Sequence, residues 1–303
     1  MLQIGIIIPT LNAGSRFIRL LDSITKQQAN ITRKLIIDSG SSDNTVGIAK
    51  TYQYEVIPIN QAKFNHGKTR QLGIDYLADI DIAVFLTQDV ILYDENSIGK
   101  LIAAFKDLSI GAAYGRQLPH KGASLLAAQV RLFNYPPNSQ YKSYADKTKL
   151  GIKTAFMSDS FAAYRITSLQ AAGGFPHVIV NEDMYVAAKM LKQGDKIAYI
   201  AEACVYHSHD YTLRQEVQRY FDIGVFQQQE AWIRAEFGEA EGEGLRLVKE
   251  QLNYLVNNNH ISSIPKAMLL NVAKLIGYRL GMHEKYLPRR LKKVLSGQSY
   301  FFK

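Results

Sequence analysis

Short apolar runs alternate with amphipathic stretches through the first two thirds of the chain, and the alternation predicts a succession of strands and helices. The β-branched run Gln3–Thr10 reads as a strand, with Asn12-Ala-Gly after it as turn chemistry. Arg16–Gln28 sets Phe17, Leu20, Leu21 and Ile24 at helical spacing. Lys34–Asp38 is a second short strand, Ser42 or Asp43 can cap a helix through Ala49, and Glu55–Ile59 is a third strand. A polar loop, Phe64-Asn-His-Gly-Lys, leads into a helix over Thr69–Leu77 with Leu72 and Tyr76 on one face. Asp81–Leu86 is a fourth strand, apolar enough to be buried on both sides. This order predicts an α/β chain with a central, mostly parallel sheet wound like a nucleotide-binding half.

Further along, Ser97–Lys106 reads as a helix and Ala112–Gly115 as a short strand, and the Pro-Pro-containing Asn134–Tyr144 as a loop over the site. Ala155–Arg165 is strand-like, and Leu169–Gly174 is a helix that closes on two glycines. Asn181-Glu182-Asp183 opens a helix over Met184–Gln193, and Ile197–Tyr206 is a strand that runs into His207-Ser208-His209. Leu213–Arg234 is a long amphipathic helix, and most of the remainder to about Ser296 is helical. A chain of 303 residues suits one large α/β domain with a helical appendage, or two modest domains. The division drawn here is a nucleotide-binding domain over 1–224 and a helical region over 225–303.

Composition narrows the class. A hydrophobic share of 47% and an aromatic share of 11% exclude a disordered chain. The single cysteine, Cys204, excludes an intramolecular disulfide and a multi-cysteine zinc site, and fits a reducing cytosol. The N-terminal apolar run has no basic segment before it and is read as a strand, not a signal peptide. No segment approaches the ~18 uncharged apolar residues of a membrane span. The net charge is +9, but residues 265–303 hold nine Lys/Arg against one acid, so the first 264 residues carry only +1. A nucleic-acid-binding protein would interleave basic and aromatic residues across its folded domain, so that class is disfavoured. Within the tail, Met268–Leu280 sets Leu269, Val272, Ile276 and Leu280 against Lys274 and Arg279, followed by Tyr286-Leu-Pro-Arg-Arg-Leu-Lys-Lys. Apolar faces beside clustered cations suit an anionic membrane surface; the competing reading is an ordinary helical cap with a solvated basic face.

Candidate chemistry falls at the strand ends. Thr10 and Asn12 follow the first strand, Asp38 and Ser39 the second, and Thr87, Gln88 and Asp89 the fourth. In an open α/β sheet those ends share an edge, where ligands bind. Asp38 and Ser39 can hydrogen-bond a base or ribose, and Asp89 is placed to hold a divalent metal against a diphosphate. Lys68 or Arg70, near a helix start, can reach a diphosphate or sugar; a solvated turn is the plainer alternative. Glu182-Asp183 is the general-base candidate, against the alternative of an acidic first turn that complements the helix dipole. His207 and His209, two apart after a strand, point to one side and with a carboxylate suit Mn²⁺ or a similar metal. Ser160 and Cys204 have no paired base in view and receive no role.

These residues resemble the family-two inverting glycosyltransferases of the GT-A fold. The segments IIIPTLNAG, IIDSGSSDNT, FLTQDV, GGFP, NEDMY and VYHSH occur in that family's order and approximate spacing, from about Ile4 to Gly224. Within the family the chain looks most like the bacterial rhamnosyltransferases, on FNHGKTRQLG, the TQD triplet, HSHDYTLRQEVQRYFDIG and the tail LIGYRLG…YLPRRLKKVLS. The resemblance puts Thr10, Asn12, Asp38 and Ser39 around the nucleotide, Asp89 and His207 on a metal, and Asp183 as base with Glu182 supporting it. Thr87 stands where the family's metal motif has its first Asp, so Asp89 needs help from His207 or His209. Lys68 stands where a second glycine is usual. The implied donor is dTDP-β-L-rhamnose with Mg²⁺ or Mn²⁺, with UDP-glucose or UDP-galactose as the rival. The implied acceptor is a lipid-linked cell-surface glycan, and the implied place is the cytoplasmic face of a bacterial plasma membrane. A non-catalytic membrane-surface protein is the reading from another class, and a homodimer is left open.

Overall fold

The computed structural model describes residues 2–239 and 241–302; Lys303, the last of the basic residues counted in the tail, lies outside them. Among the described residues nine strands form one sheet: β1 Ile4–Thr10, β2 Arg33–Asp38, β3 Glu55–Pro58, β4 Ile82–Leu86, β5 Ile91–Leu92, β6 Ile110–Leu118, β7 Gln140–Lys142, β8 Phe161–Arg165 and β9 Lys196–Tyr206. Their order is β3-β2-β1-β4-β8-β6-β9-β5, with β7 also paired to β9. Strands β3, β2, β1 and β4 are parallel, as expected from the sequence, and so are β6 and β9. Strand β8 runs antiparallel to both β4 and β6, and β5 and β7 run antiparallel to β9. The sheet is therefore mixed. Between β6 and β8 the chain forms the helix Leu125–Asn134 and then β7, which pairs with the first residues of β9, before β8 runs back antiparallel to β6.

Alternation along the strands sends side chains to two cores. Ile7, Leu35, Ile37 and Phe85 face one side, and Ile6, Ile8, Ile36, Val84 and Leu86 the other. The helix Gly14–Thr25 seals the second side with Phe17, Leu20, Leu21 and Ile24. The first side is covered by the helix Glu182–Lys192 and by residues far along the chain, including Phe221, Phe226 and Phe302. In the helix His66–Tyr76 the face read from sequence is the wrong one. Leu72 and Tyr76 are exposed, and Thr69, Arg70, Gly73 and Ile74 are buried. Small residues let this helix lie close to the sheet, which apolar periodicity does not register.

The stretch expected as a loop over the site is largely ordered backbone. A helix spans Leu125–Asn134, capped by the Ser124 hydroxyl, and β7 follows on the edge of β9. Lys142 of β7 is buried, and its ammonium donates to the carbonyl oxygens of Lys153 and Phe156, fixing the turn ahead of Ser158.

The C-terminal region is helical: Leu213–Gln229, Ala231–Phe237, Glu241–Asn257, Ile264–Met282 and Arg289–Leu295. The first of these helices runs across the 224/225 boundary, and Gly224 lies in a close helix–helix contact of the region. A Cβ at Gly224 would lie 2.3 Å from the Tyr278 carbonyl, one at Gly277 2.3 Å from that of Val217, and one at Gly281 2.1 Å from that of Phe221. Two helices thus touch backbone to backbone, as only glycine permits. The opposite face of Ile264–Met282 is bare, with Met268, Leu269, Val272, Leu275 and Ile276 all exposed. Leu280 and Lys274 do not belong to that bare face: Leu280 packs on the core and Lys274 pairs with Glu216 at 3.6 Å. The last turn is tied down by Asp222, which accepts from the Ser296 hydroxyl (2.5 Å) and the Gly297 amide (3.0 Å).

Substituting Gly277→Ala should cost about 1–3 kcal/mol through forced separation of the two helices. Gly99→Ala, in a helix where an added Cβ meets nothing within 4 Å, should be neutral or stabilising. Thermal unfolding of the two variants checks the contrast, and equal melting temperatures would contradict the close approach.

Candidate active site

Strand directions decide which residues meet. The carboxyl ends of β1, β2, β4, β6 and β9 and the amino end of β8 lie on one edge, because β8 alone of these is reversed. Thr10 and Asn12, Asp38 and Ser39, Thr87 to Asp89, Gln117, Ser158 to Ser160, and His207 to His209 therefore share that edge. Asp89 follows β4, where the parallel half of the sheet meets the reversed strand, the kind of switch point at which open α/β sheets bind ligands.

Asp89, His207 and His209 come together, as the sequence anticipates. Asp89 Oδ2 lies 3.5 Å from His207 Nε2 and 3.3 Å from His209 Nε2, and the two imidazole nitrogens are 3.0 Å apart. Neighbouring ligands of an octahedral ion at ~2.1 Å are separated by roughly 3.0 Å. The three atoms thus have the spacing of one face of a coordination shell, and a carboxylate with two imidazoles suits Mn²⁺ better than the oxygen-seeking Mg²⁺. Burial raises the Asp89 carboxyl, and His207 and His209 outweigh burial and hold it well below the ordinary carboxylate range when their rings carry protons. Burial pushes His207 down, and burial with the neighbouring His207 ring brings His209 to about 4, so both rings are neutral ligands at physiological pH. Behind the group, His207 Nδ1 lies 2.8 Å from Gln117 Oε1.

The second constellation surrounds Asp183. The helix Glu182–Lys192 starts at Asn181, whose left-handed backbone (φ 60°) turns the chain into it. Glu182 points inward and pairs with Arg70 Nη1, and Arg70 Nε pairs with Asp159 Oδ2 at 2.9 Å. Asp159 Oδ1 accepts from the Tyr164 hydroxyl at 2.6 Å, and its backbone amide donates to Asp183 Oδ2 at 3.2 Å. Three carboxylates are thus gathered around one guanidinium. Burial, then the charges of Asp159 and Glu182, push the Asp183 carboxyl well above its usual range, with Arg70 opposing. Burial likewise lifts Asp159, to about 6. A carboxylate raised this way is a stronger base, the condition for general-base work near neutrality.

Arg70 therefore departs from its expected role. Its side chain is 6% exposed and committed to Asp159 and Glu182, so it braces the site from below and has no free face for a diphosphate. Glu182 is equally enclosed and turned away from any acceptor. Gly67 makes this possible: a Cβ there would fall 1.9 Å from the Pro176 carbonyl, so only glycine lets the Arg70 helix press against the segment before Glu182. Asn65 completes the joint, capping the Lys68 amide (3.1 Å) and donating to the Val178 carbonyl (2.7 Å).

At the β1–β2 end, Asp38 is saturated. It accepts from Thr10 and Ser41 hydroxyls and from the Gly40 and Ser41 amides, which shapes the turn. Asn12, in a left-handed conformation, accepts from the Ser42 amide at 2.8 Å. The Ser39 hydroxyl is buried without a protein partner and is free to meet a ligand. Gln88 departs from expectation: its amide clamps the Leu11 backbone, accepting at 2.8 Å and donating at 3.1 Å, so it ties β4 to β1. Thr87 sits half-buried between them. Lys68 is exposed and lines, with Pro58, Asn60 and Lys63, a cleft at the end of β3 beside Asp38.

Sequence reading missed Gln117, Asp159 and Arg131. Gln117 was hidden because β6 was expected to stop at Gly115. The strand instead slips register against β9 between Gly115 and Arg116 and runs on to Leu118. Asp159 carries a signal in hindsight, a polar Ser-Asp-Ser directly before a buried strand.

A parallel nucleotide-binding half joined through one reversed strand to a second half, with both emptying polar residues onto one rim, is the layout of nucleotide-sugar transferases. Among solved structures, a mannosyltransferase of Pyrobaculum calidifontis in complex with GDP-Man and Mn²⁺ superposes with a TM-score of 0.61 at 16% identity, over 99% of this chain and 85% of that one. Staphylococcus aureus TarS 1–349 in complex with UDP-GlcNAc gives 0.53 at 12% identity, over 93% and 91%. At such identities the likeness concerns the fold. Residues 5–173 match the profile of Glycosyl transferase family 2, and the chain belongs to that family. It is 49% identical over 289 residues to the O-antigen chain rhamnosyltransferase RfbN of Salmonella typhimurium, covering 95% of this chain and 92% of that protein. It is 47% identical to WbaN of Salmonella anatum, also an O-antigen chain rhamnosyltransferase, over 93% and 90%. The protein is a glycosyltransferase.

Arg70→Met leaves Asp159 and Glu182 without their cation and should lower stability by about 3–5 kcal/mol, the cost of breaking a buried pair. An exposed diphosphate ligand would cost at most ~1 kcal/mol on removal. Urea unfolding of the ligand-free protein separates the two roles.

Proposed function

We propose that the protein transfers L-rhamnose from dTDP-β-L-rhamnose to a hydroxyl of a lipid-linked, growing O-antigen glycan, with inversion at the sugar carbon. The observation that carries this reading is the near full-length likeness to two O-antigen chain rhamnosyltransferases. The arrangement of Asp183 and the Asp89–His207–His209 group gives it a chemical route.

In this route Thr10, Asn12, Asp38 and Ser39 border the nucleoside, and Lys68 approaches it from the cleft at the end of β3. Asp183 takes the proton of the acceptor hydroxyl as that oxygen attacks the anomeric carbon from the face opposite the departing dTDP. Its oxygens accept from the Met184 amide at 2.7 Å and the Asp159 amide at 3.2 Å, which fix the carboxylate without using all its lone pairs. Arg70 and Glu182 hold that carboxylate in place and do not touch substrate. Asp89, His207 and His209 would hold a divalent ion, Mn²⁺ by their donor types, and a bound ion there supplies charge neutralisation to the leaving diphosphate.

The acceptor's lipid carrier brings the membrane into the reading. Among the described residues no helix is long and apolar enough to cross a membrane. The bare face of Ile264–Met282 is followed by exposed Lys285, Arg289, Arg290 and Lys293, for which no ion pair is found among the described residues. Apolar side chains with cations beside them suit an anionic bilayer surface, which supports a peripheral position at the cytoplasmic face.

Nucleotide release should be fast with dTDP-rhamnose, lost on chelation and restored by Mn²⁺; equal turnover with UDP-glucose or UDP-galactose would sink the donor assignment. Asp183→Asn should lower kcat by about 10²–10⁴. Because a general base works deprotonated and Asp183 is pushed upward, kcat/KM should rise with pH through a limb above the ordinary carboxylate range, and the variant should lose that limb. In flotation assays the protein should bind vesicles containing phosphatidylglycerol and not pure phosphatidylcholine, and Leu269→Glu with Ile276→Glu should abolish binding. A dimer that dissociates in the same double variant, without vesicle binding by the parent, would assign that face to a second copy instead.

A further inference from the structure

Gln117 of β6 is 1% exposed and stands between the metal-type group and the base. Its Oε1 receives Arg131 Nη1 at 2.6 Å and faces His207 Nδ1 at 2.8 Å, while its Nε2 donates to the Ser158 hydroxyl at 2.9 Å. The two ends of a glutamine amide differ little in shape, so its orientation is set by its partners. Arg131 is a donor under all conditions, since a guanidinium has no acceptor and keeps its protons. Only the oxygen of Gln117 can face it. The same oxygen then faces His207, and a contact of 2.8 Å between an oxygen acceptor and an imidazole nitrogen requires that nitrogen to carry the hydrogen. In the neutral ring this leaves Nε2 bare, and Nε2 is the atom that points at Asp89 and His209.

We propose that Arg131, acting through Gln117, is a positioning residue that locks His207 as its Nδ1–H tautomer and so aims a lone pair into the gap between Asp89 and His209. The inference rests on the metal-holding reading of that group given above, and adds to it the residue that makes His207 a ligand. Without Arg131 the amide can turn over. Its NH₂ group would then donate to Nδ1, the ring proton would move to Nε2, and an N–H would point where a lone pair is needed. Outer partners of this kind are worth 10–100-fold in metal affinity. Through Arg131 the helix Leu125–Asn134 is tied to Gln117 of β6.

The test reads the tautomer directly. Long-range ¹H–¹⁵N correlation spectra of the metal-free parent should show His207 protonated on Nδ1, assigned by its loss in His207→Gln. Protonation on Nε2 in the parent would overturn the proposal with no variant needed. In Arg131→Met the ring should shift toward Nε2–H, and Mn²⁺ affinity, followed by electron paramagnetic resonance without donor present, should weaken 10–100-fold. Gln117→Glu keeps an obligate acceptor against both partners and should hold the Nδ1–H tautomer and bind Mn²⁺ within a few-fold of the parent. An Arg131→Met protein with unchanged tautomer and unchanged affinity would overturn the assignment. A parent that is Nδ1–H yet binds no Mn²⁺ would bring down the metal reading while supporting the lock itself.

Discussion

One arginine holds three carboxylates within reach of each other. Arg70 is buried between Asp159 and Glu182, and Asp183 hangs from the amide of Asp159, so the charge balance at the start of the Glu182–Lys192 helix depends on a residue 112 positions earlier in the chain. Gathering three acids away from water without that cation would raise each carboxyl until it took up a proton. With it, the strongest upward push falls on Asp183, while Glu182 and Asp159 are tied into the ion pairs. The arrangement is costly to assemble, which is a reason for Gly67, Asn65 and the Tyr164 hydroxyl to be committed to it. Stability and basicity are set by the same contacts here.

The metal-type group obeys a related logic from the other side of the rim. The Asp89 carboxylate faces two imidazoles that burial keeps neutral, so the group holds no cation of its own to offset its charge. Gln117 and Ser158 run between the two constellations, and the residue after Ser158 is Asp159. The Asp89–His207–His209 side and the Asp183 side of the rim are thus joined by a short polar path through β6 and the start of β8. The C-terminal helices frame both: Phe221 and Phe302 complete the core under the rim, and Gln298 reaches the His66 ring at 3.4 Å. A region that reads as an appendage is in this sense packed into the body of the fold.

Much of this was legible in the chain. Apolar runs ending in Thr10, Asp38, Asp89 and His207 announced strands whose ends carry polar side chains, and a parallel sheet brings such ends together by its geometry alone. The pairing of Asp89 with the two histidines followed from the same rule and from Thr87 leaving Asp89 without a carboxylate neighbour. The buried face of the His66–Tyr76 helix was not legible, since glycines and an ion pair define it and apolar spacing does not. Gln88 and Arg70 were misjudged for one reason: a polar side chain near a ligand edge looks the same in sequence whether it faces substrate or props up the backbone beside it.

By itself, then, the sequence determined seven of the nine described strands, the polar termini of most of them, the acidic start of the Glu182–Lys192 helix and the basic, apolar tail, because each is a local matter of spacing and composition, whereas β5 and β7 carry no such pattern. Tertiary structure alone decided three further things. It reversed β8, which delivers Ser158 and Asp159 to the rim; it carried β6 past Gly115 through a register slip, which delivers Gln117; and it closed two helices on Gly224, Gly277 and Gly281. Each depends on which surfaces meet, and contact between distant surfaces leaves no period in the chain to read.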